Sequence, residues 1–356
     1  MRTAPVMRAA WWSLLLAIPA LFVSPALADP KLESALDGMK NAGYAFSVLV
    51  SRDGNVILER GYGFADSARQ CPAGESTLYN IASINKSFTA IAAFQLRHQG
   101  RLRFEEKLPA FFRDVPADKR SITVEHLLTH TSGLPQRYAS EGMETRDDAV
   151  GAILADTLGS APGAAFSYSN ENYDLLAAII EVRSAMAYEQ YVRANILAPA
   201  GMQDTRFWVD VPPRAGCPVA SVLQEPGSRG TRDWGYMGSG GIYASVADLQ
   251  RWFLALANGT LLRSDDLAAM WEPRSNAGAP AIARGWFISQ TRGEKEIWTR
   301  GNESWGHNAV LRWFPGRRLL VIVATNSGEL GDRHTTANRL VSDRIVETML
   351  EGGTVR

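Results

Sequence analysis

Patterns typical of β-hairpins occur near both ends of this 356-residue chain and are nearly absent from its middle. Near the N-terminus, apolar and polar residues alternate on both sides of Asp53-Gly54, a dipeptide that favours a tight turn. Two similar patterns follow residue 284, one of them around Arg292-Gly293. From about residue 100 to 230, apolar residues recur at helical spacing instead. The sequence therefore predicts an α+β fold with one antiparallel sheet built from N- and C-terminal strands, flanked by helices and carrying an inserted, mostly helical part.

The composition is that of an ordinary globular protein, because 46% of the residues are hydrophobic and can bury a substantial core. The sequence shows no internal repeat and no low-complexity linker, so we expect one compact unit. The predicted domain covers residues 29–356. Its α/β part comprises about residues 29–99 and 230–356, and its helical part comprises about residues 100–229.

The first 28 residues are typical of a secretory signal peptide. A basic start precedes an apolar stretch that ends at Ala26-Leu27-Ala28, the small-x-small pattern that signal peptidase cuts. The same stretch is about long enough to span a bilayer as an uncleaved anchor, but its prolines and the cleavage pattern favour removal. We therefore predict a signal peptide over residues 1–28 and a mature protein that is periplasmic or secreted, without a membrane segment.

Positive and negative side chains balance at 37 each, and removal of Arg2 and Arg8 with the signal would leave a slight negative excess. That balance gives no reason to expect nucleic acid or an anionic membrane surface as a partner. The two cysteines, Cys71 and Cys217, can form one disulfide in an oxidising compartment or remain two buried thiols, and the sequence leaves both alternatives open. We expect no metal and no organic cofactor, because CxxC spacing and a complete dinucleotide-binding motif are both missing from the sequence.

The stretch YNIASINKSFTAIAAFQL places a serine and a lysine three residues apart at the start of a helix predicted from Ser83 to about Gln99. Residues at this spacing share one helix face, so Ser83 and Lys86 can touch. A lysine held beside a hydroxyl, in a site that disfavours its charge, can lose a proton and act as a base. The spacing by itself is equally compatible with an ordinary helix start, so further residues must decide.

The stretch FSYSNENYDLL carries Tyr168 and Asn170 two residues apart, just before another predicted helix. At this spacing in an extended segment, both side chains point to the same side and can enter one cleft. A tyrosine near a cationic lysine can relay protons, and an asparagine offers a donor and an acceptor to a substrate. Alternatively, Tyr168 is a packing aromatic residue and Asn170 a helix cap.

These motifs occur in order with LLTHTSGLP, ILAPAGMQDTRF and GSGGIYASVADLQRW, and together they resemble the serine beta-lactamase and penicillin-binding protein superfamily. The similarity is to the class C beta-lactamase-like branch, which also holds D,D-peptidases, D-aminopeptidases and carboxylesterases, and it covers nearly the whole mature chain. The resemblance implies that Ser83 is the acylated nucleophile, Lys86 its general base partner, Tyr168 the proton relay and Asn170 a substrate ligand. It also implies an oxyanion hole in which the backbone amide of Ser83 is one donor.

The third family motif is where this sequence departs. Relatives carry K-T-G or H-x-G on the strand that lines the site, whereas this chain reads EIWTRGNESWGHNAVLRWFPG. The motif position holds either Arg300-Gly301-Asn302 or, shifted by one residue, Thr299-Arg300-Gly301. We expect the first register, with Arg300 supplying positive charge for a substrate carboxylate and Gly301 permitting close backbone approach. An amide at Asn302 or Glu303 would then complete the oxyanion hole.

Three of the five histidines have a position that could indicate a function. His126 and His130 are four residues apart, as in a helical metal site, but no glutamate follows His126 and Gly133 ends the helix soon after. We therefore expect both to be structural. His307 either reaches the cleft beside the third motif or lies within the sheet.

The sequence thus predicts an exported serine hydrolase that acts through an acyl-enzyme on amide or ester bonds. Its substrate is expected to be a small molecule or peptide: a beta-lactam, a D-amino acid peptide or a small ester. The lack of K-T-G favours a peptidase or esterase over an efficient beta-lactamase. The alternative is a non-catalytic penicillin-binding-like protein that keeps the fold and binds cell-wall peptides.

Overall fold

A computed structural model describes residues 30–351 except 67, 69, 212–216, 218, 222–233, 275–279, 304–305 and 329–335. The predicted signal peptide therefore lies outside the described residues. Within the described ranges, no helix is both long enough and apolar enough to cross a membrane.

The centre of the fold is an antiparallel sheet built from both ends of the chain, as the sequence predicts. The strands in chain order are β1 (Phe46–Arg52), β2 (Asn55–Tyr62), β3 (Phe64–Asp66), β4 (Cys71–Pro72), β5 (Tyr79–Asn80), β6 (Arg206–Phe207), β7 (Ile242–Ala244), β8 (Ala281–Ile282), β9 (Phe287–Thr291), β10 (Glu294–Asn302), β11 (Asn308–Phe314) and β12 (Leu319–Thr325). Seven of these described strands form the main sheet in the order β2-β1-β12-β11-β10-β9-β8. Because β1 pairs with β12, the sheet is complete only when the two ends of the chain come together.

Two of the turns that join these strands are the ones predicted from dipeptides. Asp53 and Gly54 have φ values of 55° and 81°, and Arg292 and Gly293 have φ values of 52° and 80°. Positive φ at both central residues is what a type I′ hairpin turn requires, and it matches the twist of the flanking strands. The predicted β1-β2 and β9-β10 hairpins are confirmed.

Helices cover both faces of the main sheet. The α-helices of the described residues, in chain order, are α1 (Pro30–Asn41), α2 (Asn85–His98), α3 (Val124–Leu128), α4 (Arg146–Ala155), α5 (Asn170–Ser184), α6 (Tyr188–Val192), α7 (Ala198–Ala200), α8 (Val246–Ala257), α9 (Ser264–Met270) and α10 (Ala337–Glu351). Helices α1 and α10 pack on one face, where they share a core with β1 and β12. Helices α2 and α8 pack on the other face, in a larger core that continues into the helical part. Because both faces are covered, the central strands β1 and β12 are buried along almost their whole length.

Helix α2 lies between the sheet and the helical part, and it is surrounded by packed side chains. Four of its apolar residues, Phe88, Ile91, Ala92 and Leu96, are fully buried. Phe88 stacks on Trp252 of α8, with ring centroids 4.3 Å apart. A helix held on all sides gives the residues at its N-terminus a rigid support.

Two small sheets lie beside the main sheet, and the sequence did not predict them. Strand β3 pairs with β4, and β5 pairs with β7, which also pairs with β6. Each of these strands has only two or three residues, which is too short for an alternating pattern to stand out. The second sheet matters for function because β5 leads directly into the turn that carries Ser83.

The two cysteines form a disulfide, which settles the alternatives that the sequence left open. Cys71 of β4 is bonded to Cys217, and their Cα atoms are 5.7 Å apart. The bond joins segments separated by 146 residues of sequence. It therefore ties the strands near the N-terminus to the end of the helical part.

Candidate active site

Ser83 lies in a 3-10 turn, Ala82–Ile84, between β5 and α2. The regular helix begins at Asn85, two residues later than predicted. Ala82 has a φ of 45°, a conformation that is uncommon for residues other than glycine, and its N–H donates to Oδ1 of Asn80 at 2.8 Å. Backbone strain of this kind concentrates at functional sites, where it directs a side chain into a cleft.

Lys86 is buried next to Ser83, with 3% of its surface exposed. Its Nζ lies 3.0 Å from Oγ of Ser83, 2.7 Å from Oδ1 of Asn170 and 2.9 Å from the carbonyl oxygen of Ser239. The amide and carbonyl oxygens can only accept hydrogen bonds. A neutral lysine amine has two hydrogens. When both are donated in hydrogen bonds to these two oxygens, the lone pair of the nitrogen faces Ser83. This arrangement suits a general base.

Tyr168 is the second side chain in contact with Ser83. Its phenolic oxygen donates to Oγ of Ser83 at 2.8 Å, and Nζ of Lys86 lies 5.1 Å from the centre of its ring. Asn170 is the first residue of α5, and its N–H donates to Oε1 of Gln136 at 2.6 Å. The structure therefore brings together all four residues that the first two motifs nominated, although they come from segments about 85 residues apart in sequence.

The carbonyl of Ser239 is a contact that the sequence analysis missed. It belongs to the glycine-rich stretch GYMGSGG, in which a Cβ at Gly238 would lie 2.1 Å from the carbonyl oxygen of Tyr173. Only glycine permits this close approach, which brings the Ser239 carbonyl to Lys86. The glycine run was visible in the sequence, but its partner was not.

Strand β10 lines the cleft, and its side chains alternate between the two faces of the sheet. Thr299 faces α2, where its hydroxyl accepts a hydrogen bond from Ser87 at 3.2 Å. Gly301 faces the same side, because a Cβ there would lie 2.0 Å from the carbonyl oxygen of Ile81 and 2.8 Å from the amide nitrogen of Ser83. The contacts favour the register Thr299-Arg300-Gly301, with glycine last as in the family motif, and they do not support the register that we expected.

The neighbouring residues point elsewhere. Asn302 directs its side chain to the other face, where Oδ1 accepts a hydrogen bond from Asn338 of α10 at 3.4 Å. Arg300 is exposed at the rim of the cleft, with its guanidinium 5.6 Å from the ring centre of Trp298. Thr299 therefore faces α2, and the positive charge of Arg300 lies at the entrance of the cleft.

The hydrogen-bonding pattern of β10 shows which backbone amide can face an oxyanion. The N–H of Glu303 donates to the carbonyl oxygen of His307 at 2.8 Å, so it is already used. N–H groups alternate between the two edges of an antiparallel strand, so the N–H of Asn302 points away from β11. On that side β9 pairs only with Glu294–Trp298 and does not reach Asn302. Asn302 is therefore the better placed of the two predicted donors.

A narrow cleft joins these groups. One wall is apolar and consists of Ile282, Ala283, Trp286 and Phe287. The opposite side carries the polar groups around Ser83. An apolar concavity with a few convergent polar groups is the usual form of a small-molecule site.

The three histidines occupy different environments. His126 caps α3, since its Nδ1 accepts the N–H of Thr123 at 3.3 Å. His130 lines the cleft, which the sequence analysis did not anticipate. His307 lies directly before β11 and is fully buried against the rings of Tyr79 and Tyr243, and it is not among the described residues that line the cleft. Within the described residues, no three acidic, histidine or cysteine side chains are grouped so as to hold a metal ion.

A serine in the turn before a central helix and a lysine in the first turn of that helix, close to a tyrosine and an asparagine beside an antiparallel sheet, define the class of beta-lactamases and penicillin-binding proteins. The family model described as Beta-lactamase matches residues 34–344, which is most of the chain. The chain therefore belongs to the beta-lactamase family.

Curated relatives agree with this assignment. The chain is 36% identical to Protein flp of Staphylococcus aureus (strain MW2) over 170 residues, which are 45% of this chain and 34% of flp. It is 28% identical to the Putative penicillin-binding protein PbpX of Bacillus subtilis (strain 168) over 244 residues, which are 67% of this chain and 61% of PbpX. The matches thus span about a third of flp and less than two thirds of PbpX.

Solved structures share the fold. The octameric penicillin-binding protein homologue from Pyrococcus abyssi has a TM-score of 0.77 and 24% identity, over 90% of this chain and 77% of that one. The D-amino acid amidase from Ochrobactrum anthropi SV3 has a TM-score of 0.77 and 21% identity, over 90% and 99% of the two chains. At these identities, the likeness shows the α+β fold alone.

Proposed function

We propose that this protein is an exported serine hydrolase that cleaves amide or ester bonds through an acyl-enzyme on Ser83. The observation that carries the proposal is the position of Oγ of Ser83, 3.0 Å from Nζ of Lys86 and 2.8 Å from the phenolic oxygen of Tyr168. Lys86 can accept the proton of Ser83 while Tyr168 donates a hydrogen bond to Oγ, and an activated nucleophile needs such a neighbouring base. Because the helix and turn that carry Ser83 are tightly packed, this geometry costs little reorganisation.

In the acylation step, the hydroxyl proton of Ser83 passes to Lys86 while Oγ forms a bond to the substrate carbonyl carbon. The negative charge that develops on the carbonyl oxygen faces the amides of Ser83 and Asn302. The bond to the leaving group then breaks as Tyr168 delivers a proton to the departing nitrogen or oxygen, and Lys86 replaces that proton.

In the deacylation step, water attacks the ester carbonyl and gives a proton to Tyr168 while the phenolic proton of Tyr168 moves to the neutral amine of Lys86, which later returns it to Oγ of Ser83. The bond to Oγ breaks, Ser83 recovers its proton and the acid product leaves. The Oδ1 atom of Asn170 accepts a hydrogen bond from Lys86, so the NH₂ group of the same amide can donate to a substrate carbonyl.

Small esters and D-amino acid amides or peptides fit the cleft better than beta-lactams. Thr299 stands where relatives place a lysine or histidine, so no cation of β10 lies inside the cleft beside Ser83, and the charge of Arg300 is at its rim. The apolar wall of Ile282 and Phe287 suits an uncharged acyl group. The D-amino acid amidase with the same fold is consistent with this choice.

Export is supported by two independent features. The first 28 residues have the pattern of a signal peptide. The disulfide between Cys71 and Cys217 is of a kind that forms and persists in oxidising compartments.

Labelling with a fluorophosphonate tests the proposal. We expect one adduct, mapped by peptide mass spectrometry to Ser83, together with turnover of a 4-nitrophenyl ester. Ser83→Ala should abolish both. Ser34→Ala, on the exposed side of α1, is the control and should change neither. Turnover that survives Ser83→Ala would overturn the proposal, and an adduct without turnover of esters, D-amino acid amides or a cephalosporin would favour the non-catalytic alternative.

A further inference from the structure

His130 contacts three consecutive residues of the segment that carries Tyr168. The carbonyl oxygen of His130 accepts the N–H of Ser167 at 2.8 Å, and its Nδ1 accepts the N–H of Ser169 at 3.2 Å. Between these contacts, the imidazole stacks on the ring of Tyr168, with centroids 4.5 Å apart and an angle of 29° between the planes. His130 therefore holds Tyr168 through the backbone before it, the backbone after it and its own ring.

The imidazole of His130 is itself fixed from the other side. Its Nδ1 also lies 3.2 Å from the side-chain nitrogen of Asn172, and the ring of Tyr173 lies 5.1 Å away. Tyr173 is anchored because its hydroxyl donates to the carbonyl oxygen of Leu128 at 2.8 Å. The backbone of His130 has a φ of 55°, which turns its carbonyl and its side chain toward the same segment. The ring cannot rotate without losing these contacts.

The two N–H groups that meet Nδ1 also determine the protonation state of His130. The side-chain oxygen of Asn172 is occupied by a hydrogen bond from Ser132, so its NH₂ group faces the imidazole. A ring nitrogen that accepts hydrogen bonds carries no proton, so the single proton of the ring is on Nε2. Burial holds the pKa of His130 well below its usual value. The ring therefore stays neutral and remains an acceptor for Ser169.

We propose that His130 is a positioning residue that holds the phenolic oxygen of Tyr168 at Ser83 and contributes to turnover only through Tyr168. This inference rests on the proposed function, because it assigns Tyr168 the proton transfers of the acyl-enzyme reaction. The phenolic oxygen is 2.8 Å from Oγ of Ser83. A displacement of about 1 Å between such groups slows a reaction by about 100-fold.

A double-mutant cycle between His130 and Tyr168 tests this inference. His130→Asn keeps an acceptor and a residue that tolerates positive φ, but it removes the ring. Tyr168→Phe removes the phenolic oxygen. With a 4-nitrophenyl ester, we expect His130→Asn to lower kcat by about 10- to 100-fold, with KM within about threefold of the original. In the Tyr168→Phe background, His130→Asn should lower kcat no further, because residues that act through one group are not additive.

His126→Asn is the matched control, since it makes the same substitution four residues earlier, at a half-buried histidine that caps α3. We expect it to leave kcat unchanged. If His130→Asn does not fold, His130→Phe keeps the ring, removes the acceptor and should show the same dependence on Tyr168.

The outcomes separate the inference from the function on which it rests. If the decrease in kcat is the same with and without the Tyr168 hydroxyl, or if only the melting temperature falls, His130 is structural and the inference is overturned. If the unmodified protein neither reacts with a fluorophosphonate nor hydrolyses any ester or amide, the proposed function fails, and the assignment of His130 fails with it.

Discussion

Replacement of Gly301 by alanine tests whether the close contact between β10 and the Ser83 turn is needed for acylation. A Cβ at this position would lie 2.0 Å from the carbonyl oxygen of Ile81 and 2.8 Å from the amide nitrogen of Ser83. Real Cβ atoms essentially never approach other atoms below 3.0 Å, so the strand and the turn must move apart by about 1 Å. That movement separates the amides of Ser83 and Asn302, the two donors of the proposed oxyanion hole. Loss of one such donor costs about 100- to 1,000-fold in kcat, so we expect kcat/KM to fall by at least about 100-fold.

The assay is the initial rate of hydrolysis of a 4-nitrophenyl ester, with the rate of fluorophosphonate labelling as a second measure. Gly151→Ala is the matched control, because this exposed glycine of α4 has no heavy atom within 4 Å of an added Cβ. Alanine favours a helix by up to about 1 kcal/mol over glycine, so the control should stay active and be no less stable. A Gly301→Ala protein that retained activity within about threefold of the original would refute the reasoning.

Three further predictions concern the base, a buried histidine and the disulfide. Lys86→Met removes the amine but keeps an unbranched side chain, so labelling of Ser83 should slow by about 100- to 10,000-fold, and an unchanged labelling rate would contradict the role of Lys86. Burial lowers the pKa of His307 to about 4, whereas the unfolded chain takes up this proton near pH 6.5, so its contribution to stability is present above about pH 6.5 and is lost as the pH falls to about 4. The free energy of unfolding in urea should therefore fall by about 3 kcal/mol over that range, and a His307→Phe protein with the same decline would rule out this cause. Reduction of the bond between Cys71 and Cys217 should lower the unfolding free energy by about 2–5 kcal/mol, because the bond constrains a long loop in the unfolded chain, and equal urea midpoints with and without reductant would count against it.

Features with local causes could be predicted from the sequence. The β1-β2 and β9-β10 hairpins follow from dipeptides that adopt positive φ. Ser83 and Lys86 meet because residues three apart share a face wherever the chain turns helically, even though the regular helix starts later than predicted. Tyr168 and Asn170 were found by their spacing and by the resemblance of the surrounding motifs, and the structure brings them to Ser83 and Lys86.

Features that depend on contacts between distant segments could not be predicted in the same way. The contacts of His130 with Tyr168 and Ser169 join two segments of the helical part, and nothing in the spacing of LLTHTSGLP indicates them. The carbonyl of Ser239 reaches Lys86 only because Gly238 allows its segment to approach α5. Such contacts exist only after the core has packed.

The sequence by itself determined the kind of fold, the family and the proximity of Ser83 to Lys86, because periodicity, turn dipeptides and motif order are properties of short segments. Only the tertiary structure shows which side of β10 faces α2 and that Cys71 is bonded to Cys217. A shift of one residue in a strand leaves its composition unchanged but exchanges the side chains on its two faces. It is the packing of Gly301 against the Ser83 turn that makes Thr299, and not Arg300, the residue of β10 that faces α2 inside the cleft.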